Sequence, residues 1–399
     1  SHMPLINKLS ARILVVDDNE MNRDMLARRL ERAGFSVETA NGGNAGLERI
    51  LCGNFNLVLL DIMMPDIDGL TVLKRAREVY SKMELPVIMA TAKDEGSDLA
   101  EALSLGANDY VTKPLDFKVV RARVDNVLGY ALAARELQHA NERMNRDLEA
   151  AAGVQASLLP NNPVEIEGAE FVWRFRPCDE LAGDGLNVFR LDDEHVAMYV
   201  LDVSGHGVAS ALLSVSVTHH LSQLVGQRRF ADAGRCEFMS GNIISPAWLA
   251  RNLNSLFPMD AVGRHYFTFL YGVLNVRTRT FCFVSAGSPG PLLVHTDGSI
   301  EVHDVPALPI GMFPDSEYVD TAIQLQPGDR LYLHTDGLYE ERNIETREEF
   351  GRDRLQQALG NAATTPFAAS VDGLLDEVMR WRGSAALSDD IAVLGCALH

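Results

Sequence analysis

Short apolar runs at residues 13–16, 57–60, 87–90 and 109–111, with a weaker one at 35–39, punctuate the first third of the chain. They are rich in Val and Ile, which suit a pleated, buried surface. Between them, residues 21–33 and 70–79 place apolar side chains at helical spacing. Strands alternating with helices predict an α/β doubly wound, flavodoxin-like sheet over residues 11–129, whose functional side chains lie beyond the carboxyl ends of the strands. Residues 1–10 read as a tail that begins with a tag remnant, Ser1-His2-Met3.

The pattern then changes. About residues 126–159 carry no proline, with Gly153 as a weakening residue in the last turns, and predict one long helix, with 130–159 as the linker proper. Alternating steps of three and four residues pass through Tyr130, Ala134, Leu137, Asn141, Met144, Leu148, Ala151, Gln155 and Leu158. That is a heptad seam with two polar positions, and the charges around it, Arg135, Glu136, Glu142, Arg143, Arg146, Asp147 and Glu149, leave the other faces solvated. A homodimeric coiled coil follows, in preference to a helix lying on its own domain.

From Pro160 onward, turn residues separate many short strand-like runs, at 171–175, 196–201, 267–276, 281–284, 291–295 and 330–334. Helical stretches at 209–224, 246–256 and 367–381 interrupt them. Residues 160–399 are thus expected to form an α+β domain with a β-sandwich flanked by helices. A chain of 399 residues accommodates these two domains and the connector.

Composition narrows the partners. With 47% hydrophobic and 23% charged residues the chain can build cores, and its net charge of −19 opposes nonspecific binding to nucleic acid or to an anionic membrane. No apolar run approaches the ~20 residues that span a bilayer, and no signal-peptide pattern is present, so a cytoplasmic location is expected. The five cysteines, Cys52, Cys178, Cys236, Cys282 and Cys396, are scattered without metal or redox spacing and read as small core residues in a reducing compartment.

Chemistry concentrates in two groups of aspartates at the ends of apolar runs. The first holds Asp17, Asp18 and Asp61; the second holds Asp184, Asp202, Asp336, Asp389 and Asp390. Crowded carboxylates repel one another unless a hard divalent cation, which prefers oxygen ligands, holds them together.

Asp17-Asp18, Asp61 followed by Ile62-Met63-Met64-Pro65 and Asp68-Gly69, Thr91-Ala92, and Lys113-Pro114 together resemble a response-regulator receiver domain. The resemblance implies that Asp61 is the phosphoacceptor. It also implies that Mg²⁺ sits on Asp17 or Asp18, Asp61 and the Met63 carbonyl, that Lys113 pairs with the acyl phosphate, and that Thr91 and Tyr110 are the switch residues. A cognate sensor histidine kinase is the implied donor.

Further on, Ala182-Gly183-Asp184, Asp202-Val203-Ser204-Gly205-His206-Gly207, Ala286-Gly287-Ser288, Pro327-Gly328-Asp329, His334-Thr335-Asp336-Gly337 and Ser388-Asp389-Asp390 resemble, in that order, the sporulation and stress-response phosphatases of the PP2C class. Gln155-Ala156-Ser157-Leu158-Leu159-Pro160 is similar to the opening helix of that domain. The resemblance implies two Mn²⁺ or Mg²⁺ ions. Asp202 bridges them with the Val203 carbonyl nearby, Asp184 serves the second ion, and Asp336 and Asp389 serve the first, with Asp390 able to exchange with Asp389. Two ions sharing a water make it nucleophilic near neutral pH and balance the charge of a phosphate ester. The implied substrate is a phosphorylated STAS-type anti-anti-sigma factor in a partner-switching pathway.

Three positions depart from the family pattern: Ala182 stands where a glycine is usual, Asn187 where a second acid is, and Ser288 where a histidine is. Asn187 and Ser288 favour the competing expectation, an adaptor whose phosphatase-like domain binds a sigma or anti-sigma regulator without turnover.

Overall fold

A computed structural model describes residues 11–92, 96–160, 164–226, 234–259, 263–384 and 386–399, with the side chains of 96–99 excepted. The chain divides into two compact units, 1–145 and 146–399.

The first unit contains β1 (Arg12–Val16), α1 (Glu20–Arg32), β2 (Ser36–Ala40), α2 (Gly43–Cys52), β3 (Leu57–Asp61), α3 (Gly69–Arg77), β4 (Val87–Thr91), α4 (Gly96–Leu105), β5 (Asp109–Thr112) and the first part of α5 (Phe117–Ala156). The strands pair in parallel in the order β2-β1-β3-β4-β5, as the alternation predicts. Both faces are covered, so β3 and β4 are buried at every position. Capping fixes the helix starts: Asn19 and Asp68 accept from the backbone N–H groups of Asn22 and Thr71. The Asp66 carboxylate receives the Gly43 and Asn44 N–H groups at the start of α2, and those bonds pull its pKa down to about 2.

Helix α5 begins at Phe117, earlier than the sequence pattern places it. Val120, Val124, Val127 and Leu128 bury against the sheet and Ala131 is buried as well, so the last helix of the receiver fold and the linker are one element of 40 residues, about 60 Å long. Beyond it the predicted seam is open: Tyr130, Leu137 and Met144 are 80%, 64% and 56% exposed.

The second unit contains β6 (Ala169–Arg176), β7 (Gly185–Arg190), β8 (His195–Val203), α6 (Val208–Gly226), α7 (Pro246–Leu256), β9 (Phe267–Asn275), β10 (Thr280–Ala286), β11 (Leu292–Val294), β12 (Ile300–Val302), β13 (Thr321–Gln324), β14 (Arg330–His334), α8 (Gly337–Glu340), α9 (Arg352–Asn361), α10 (Phe367–Arg382) and β15 (Ile391–Leu398). Two five-stranded antiparallel sheets form, β13-β10-β9-β8-β7 and β12-β11-β14-β15-β6. Met198, Val200, Leu270 and Phe281 from one sheet meet Leu331, Leu333, Leu394 and Cys396 from the other in a shared core. The outer face of the first sheet packs on α6 and α7, and that of the second on α9 and α10, each face with its own apolar cluster.

Helix α6 corrects one expectation. Its stretch Val208–Val225 has the length and mean hydropathy, 1.2, of a membrane-crossing helix. Here Leu213, Val217 and Leu221 enter the core against β8 while Leu212 is exposed, the pattern of a helix with one buried face. The cysteines are also less scattered than their spacing implies: Cys236 and Cys282 meet in the core with sulfurs 2.9 Å apart.

Candidate functional site

In the first unit the strand ends bring Asp17, Asp18 and Asp61 together, with one oxygen of each within 4.8 Å of the others. Asp17 and Asp61 are buried and Asp18 is exposed. Lys113, just past β5, donates to Asp61 at 2.7 Å and to Asp17 at 3.3 Å. Burial raises the Asp61 pKa against the opposing pull of Lys113. For Lys113, burial works downward, but the bond and charge of Asp61 prevail and its pKa rises. The Met63 N–H also bonds Asp61, which places that backbone at the pocket. Thr91 ends β4, buried, with its hydroxyl on the Ala92 carbonyl, and Tyr110 is half-buried on β5. A pocket of two to three carboxylates with one fixed ammonium suits a hard divalent ion and an incoming phosphoryl group.

In the second unit Asp184 begins the turn into β7, Asp202 lies near the end of β8, Asp336 caps α8, and Asp389 and Asp390 precede β15. Asp184 and Asp202 hydrogen-bond to each other, and Asp202 also feels the charges of Asp336, Asp389 and Asp390. Burial, reinforced by Asp336, pushes the Asp202 carboxyl up to about 7. Burial and Asp202 hold Asp184 well above the carboxylate range, burial raises Asp336, and partial desolvation of its carboxyl raises Asp389 although that residue as a whole is exposed. No basic side chain is among the principal influences on any of the four. Such a set has the donor chemistry for hard divalent ions, which would return these groups to their ionised state.

Asp390 has a different surrounding. It is buried, and its two oxygens accept the N–H groups of Cys178 (2.8 Å), Gly183 (2.7 Å) and Asp184 (3.3 Å). It therefore holds the loop that presents Asp184, and exposed Asp389 is the member of the pair left facing outward. Two neighbours that the sequence motifs leave without a role complete the frame. The Thr335 hydroxyl donates to Asp184 at 2.6 Å while accepting from the Ala392 N–H. Buried Glu341 receives the N–H groups of Ser388 and Asp389 and pairs with Arg382 at 2.5 Å. Thr335 sits inside a motif, so its position was a readable signal; Glu341 had none beyond nearness to Asp336.

Backbone proximity explains two sets of glycines. Gly205 and Gly207 follow the β8 acid at φ +86° and +88°, a left-handed turn that glycine adopts freely. At Gly337 a Cβ would lie 2.0 Å from the Asp390 carbonyl, so only glycine lets these two acidic segments touch. His206 is exposed, while His265, unmarked in the sequence, sets its Nδ1 2.6 Å from the Ser204 carbonyl beside Gly205.

Asn187, which stands where the family pattern has a second acid, spends its side chain on structural hydrogen bonds. Its Nδ2 donates to the Leu158 carbonyl (3.3 Å), its Oδ1 accepts from the Val188 N–H (2.8 Å), and its side chain bonds the Tyr199 hydroxyl. Ser288 turns its carbonyl to the Ser285 hydroxyl, and Arg174 is committed to Asp372 through two bonds of 2.6 and 2.9 Å.

Comparison with known proteins agrees with this geometry. The model of the response regulator receiver domain matches residues 13–125, and that of stage II sporulation protein E (SpoIIE) matches residues 192–399, just over half of the chain. Among curated relatives, the transcriptional regulatory protein DltR of Streptococcus agalactiae is 39% identical over 153 residues, 38% of this chain and 67% of that protein. The alkaline phosphatase synthesis transcriptional regulatory protein PhoP of Bacillus subtilis is 39% identical over 137 residues, 34% of this chain and 56% of its own length. Among solved structures, the SiaA-PP2C domain of Pseudomonas aeruginosa superposes with a TM-score of 0.53 at 20% identity, covering 65% of this chain and 99% of that domain, a likeness of fold. The chain belongs to the SpoIIE family and joins its PP2C-type phosphatase domain to a response-regulator receiver domain.

Proposed function

We propose that this chain is a divalent-metal-dependent phosphoserine/phosphothreonine protein phosphatase governed by phosphorylation of Asp61. The observation that carries the reading is the group Asp184, Asp202, Asp336 and Asp389, four acids with raised pKa values and no basic side chain among their main influences. An acidic group of this kind is costly unless cations occupy it. The residues to hold two Mn²⁺ or Mg²⁺ ions are Asp184, Asp202, Asp336, Asp389 and the Val203 carbonyl. Bound ions supply an activated water and compensate the charge of a phosphate ester. Asp390, Thr335 and Glu341 keep the ligand loops in place.

In the receiver, Asp61 takes the phosphoryl group from a sensor histidine kinase, Asp17 or Asp18 with Asp61 and the Met63 carbonyl would hold Mg²⁺, and Lys113 pairs with the product. Thr91 and Tyr110 then repack the β4–β5 surface. Helix α5 carries the change onward, and its open seam, centred on Leu137 and Met144, serves a second copy of the chain. Converting a mostly-off switch to mostly-on takes ~5.5 kcal/mol of differential stabilisation, which a dimer interface that differs between states can provide. The substrate is a phosphorylated STAS-type anti-anti-sigma protein, by resemblance to partner-switching phosphatases.

The test is release of phosphate from a phosphoserine STAS protein by the wild type and by Asp202→Asn. Turnover that disappears in the variant supports the enzyme. Tight binding of the phosphoprotein by both proteins, without turnover by either, supports the adaptor instead.

A further inference from the structure

We infer that Cys236 and Cys282 are a modification site: a hydroperoxide joins their sulfurs in a disulfide that staples the strap 234–245, and with it the start of α7, to the interior strand β10.

The two cysteines lie 46 positions apart, so no spacing in the sequence pairs them. The fold brings them together. Cys282 sits in the middle of β10 between Val273 of β9 and Ala322 of β13, and the alternation of the strand turns it, with Val284 and Ala286, to the face that α6 and α7 cover. Cys236 comes from the strap, a small hairpin closed by the Cys236 N–H on the Ile243 carbonyl (2.9 Å) and the Ser245 N–H on the Gly234 carbonyl (2.5 Å). Ser245 then caps α7 by accepting the Trp248 N–H. Both cysteines are buried, and their sulfurs stand 2.9 Å apart.

Two kinds of chemistry compete for such a pair. The Asp320 carboxylate lies within 4.8 Å of both sulfurs, which makes the three a formal ligand set for a soft metal ion. Two thiolates on one tetrahedral zinc ion, with Zn–S bonds of about 2.3 Å, stand ~3.8 Å apart. Opening the pair that far displaces neighbours in a close-packed core, and Asp320 is already engaged, its Oδ1 accepting the Ala247 N–H at 2.7 Å. A disulfide instead closes the sulfurs to about 2.05 Å. It also carries no charge, which suits a pair set in the same apolar cluster as Leu249, Ala250 and Leu253 and opposed as thiolates by the charge of Asp320.

A hydroperoxide balances the step. The Cys236 sulfur is the nucleophile: the bond between the two sulfurs lowers its pKa and raises that of Cys282, and the Phe238 and Met239 N–H groups also point to it. Its attack on the peroxide breaks the O–O bond and leaves a sulfenic acid, and the thiol proton departs on the alcohol, or on water when the oxidant is hydrogen peroxide. The Cys282 sulfur then displaces the hydroxyl, forming the S–S bond and releasing water. Two electrons and two hydrogens pass from the thiols to the peroxide. The tip of the strap is open to solvent at Glu237, Phe238 and 240–242, so local opening of this hairpin uncovers Cys236 without unfolding the sheet. The ring that the bond closes encloses α7, β9 and the pair His265 and Tyr266, which hold Ser204 beside the acidic turn. Closing it restrains the unfolded chain and so stabilises this part of the domain.

The experiment uses the full chain and needs no turnover. Protein is held in hydrogen peroxide and quenched with catalase. Its free thiols are then blocked with N-ethylmaleimide in denaturant, peptides are mapped by mass spectrometry, and parallel samples are followed by calorimetry. We expect three of the five cysteines to remain blockable and a peptide pair joined through Cys236 and Cys282 that dithiothreitol separates. The phosphatase-domain transition should rise by about 5–15 °C, while the receiver transition stays in place. Cys282→Ser should show neither the link nor the rise; if that variant does not fold, the wild-type map decides alone. Five blockable thiols in oxidant-treated folded protein, or Cys236 recovered as a sulfinic acid without a link, overturns the pair. A link that leaves the phosphatase-domain transition unmoved overturns the staple.

Discussion

The two acidic pockets of this chain solve one electrostatic problem in different ways. In the receiver, Lys113 provides a resident cation that bonds both Asp61 and Asp17. In the phosphatase domain the acids hydrogen-bond to hydroxyl and backbone groups and to each other, Thr335 to Asp184, three N–H groups to Asp390 and Asp184 with Asp202, and no basic side chain leads the field at Asp202. A pocket with its own counter-charge keeps its shape while it waits for Mg²⁺ and phosphate. One without it stores repulsion that only bound cations or protons relieve. On the proposed reading, the receiver would be occupied intermittently and the phosphatase site would depend on its ions.

The contrast can be broken most severely at Asp202. Asp202→Asn should lower phosphatase turnover about 10³-fold, since on the proposed reading Asp202 is an ion ligand and losing its charge would cost several kcal/mol of transition-state stabilisation, with each 1.36 kcal/mol a decade; steady-state kinetics at saturating Mn²⁺ will read it. Thr335→Val keeps the shape but leaves Asp184 without its hydroxyl partner, and should weaken Mn²⁺ binding 10- to 100-fold in a calorimetric titration. Lys113→Ala makes the receiver resemble the other site. It should cost about 2 kcal/mol in chelator by denaturant unfolding, and less in Mg²⁺, whereas phosphatase turnover stays near its basal value.

The smallest effect is one of pH. The Asp202 carboxyl titrates near 7 in the metal-free fold against an ordinary 3.8, so the folded domain binds the extra proton. The stability that this proton contributes is complete below the ordinary carboxylate pKa and is lost as pH rises through about 7. In chelator, thermal unfolding of the phosphatase domain should therefore occur at higher temperature at pH 6 than at pH 8. With Mn²⁺ the order should reverse, because the ion needs the ionised form.

How legible each region was follows from the same contrast. The receiver declares itself because every functional residue stands at the end of an apolar run, Asp17 after β1, Asp61 in β3, Thr91 in β4 and Lys113 after β5, and a parallel sheet must gather those ends. In the sandwich the acids were visible as motifs, and so were most strands. The buried interior strand β15 is not legible, because Ile391–Leu398 follows Asp390 without a turn signal. The frame around the acids was hidden as well. Nothing local marks Glu341 as the partner of a residue that lies 47 positions away. The start of α5 is hidden because one unbroken helix runs from Phe117 through Val124 and Leu128 into the linker, so no break in the pattern marks where the receiver's last helix ends. Dimerisation sharpens this last point: charged residues at Leu137 and Met144 should halve the mass seen by light scattering if the open seam is the interface.

The most direct test of receiver control over an ion-dependent phosphatase is hydrolysis of p-nitrophenyl phosphate by the full chain across a Mn²⁺ series, with and without beryllofluoride as the acyl-phosphate mimic at Asp61. The account predicts no turnover in chelator, turnover that rises with Mn²⁺, and a change in rate on adding beryllofluoride that Asp61→Asn abolishes. Turnover indifferent to metal, or a metal-dependent rate that beryllofluoride alters equally in Asp61→Asn, would contradict it.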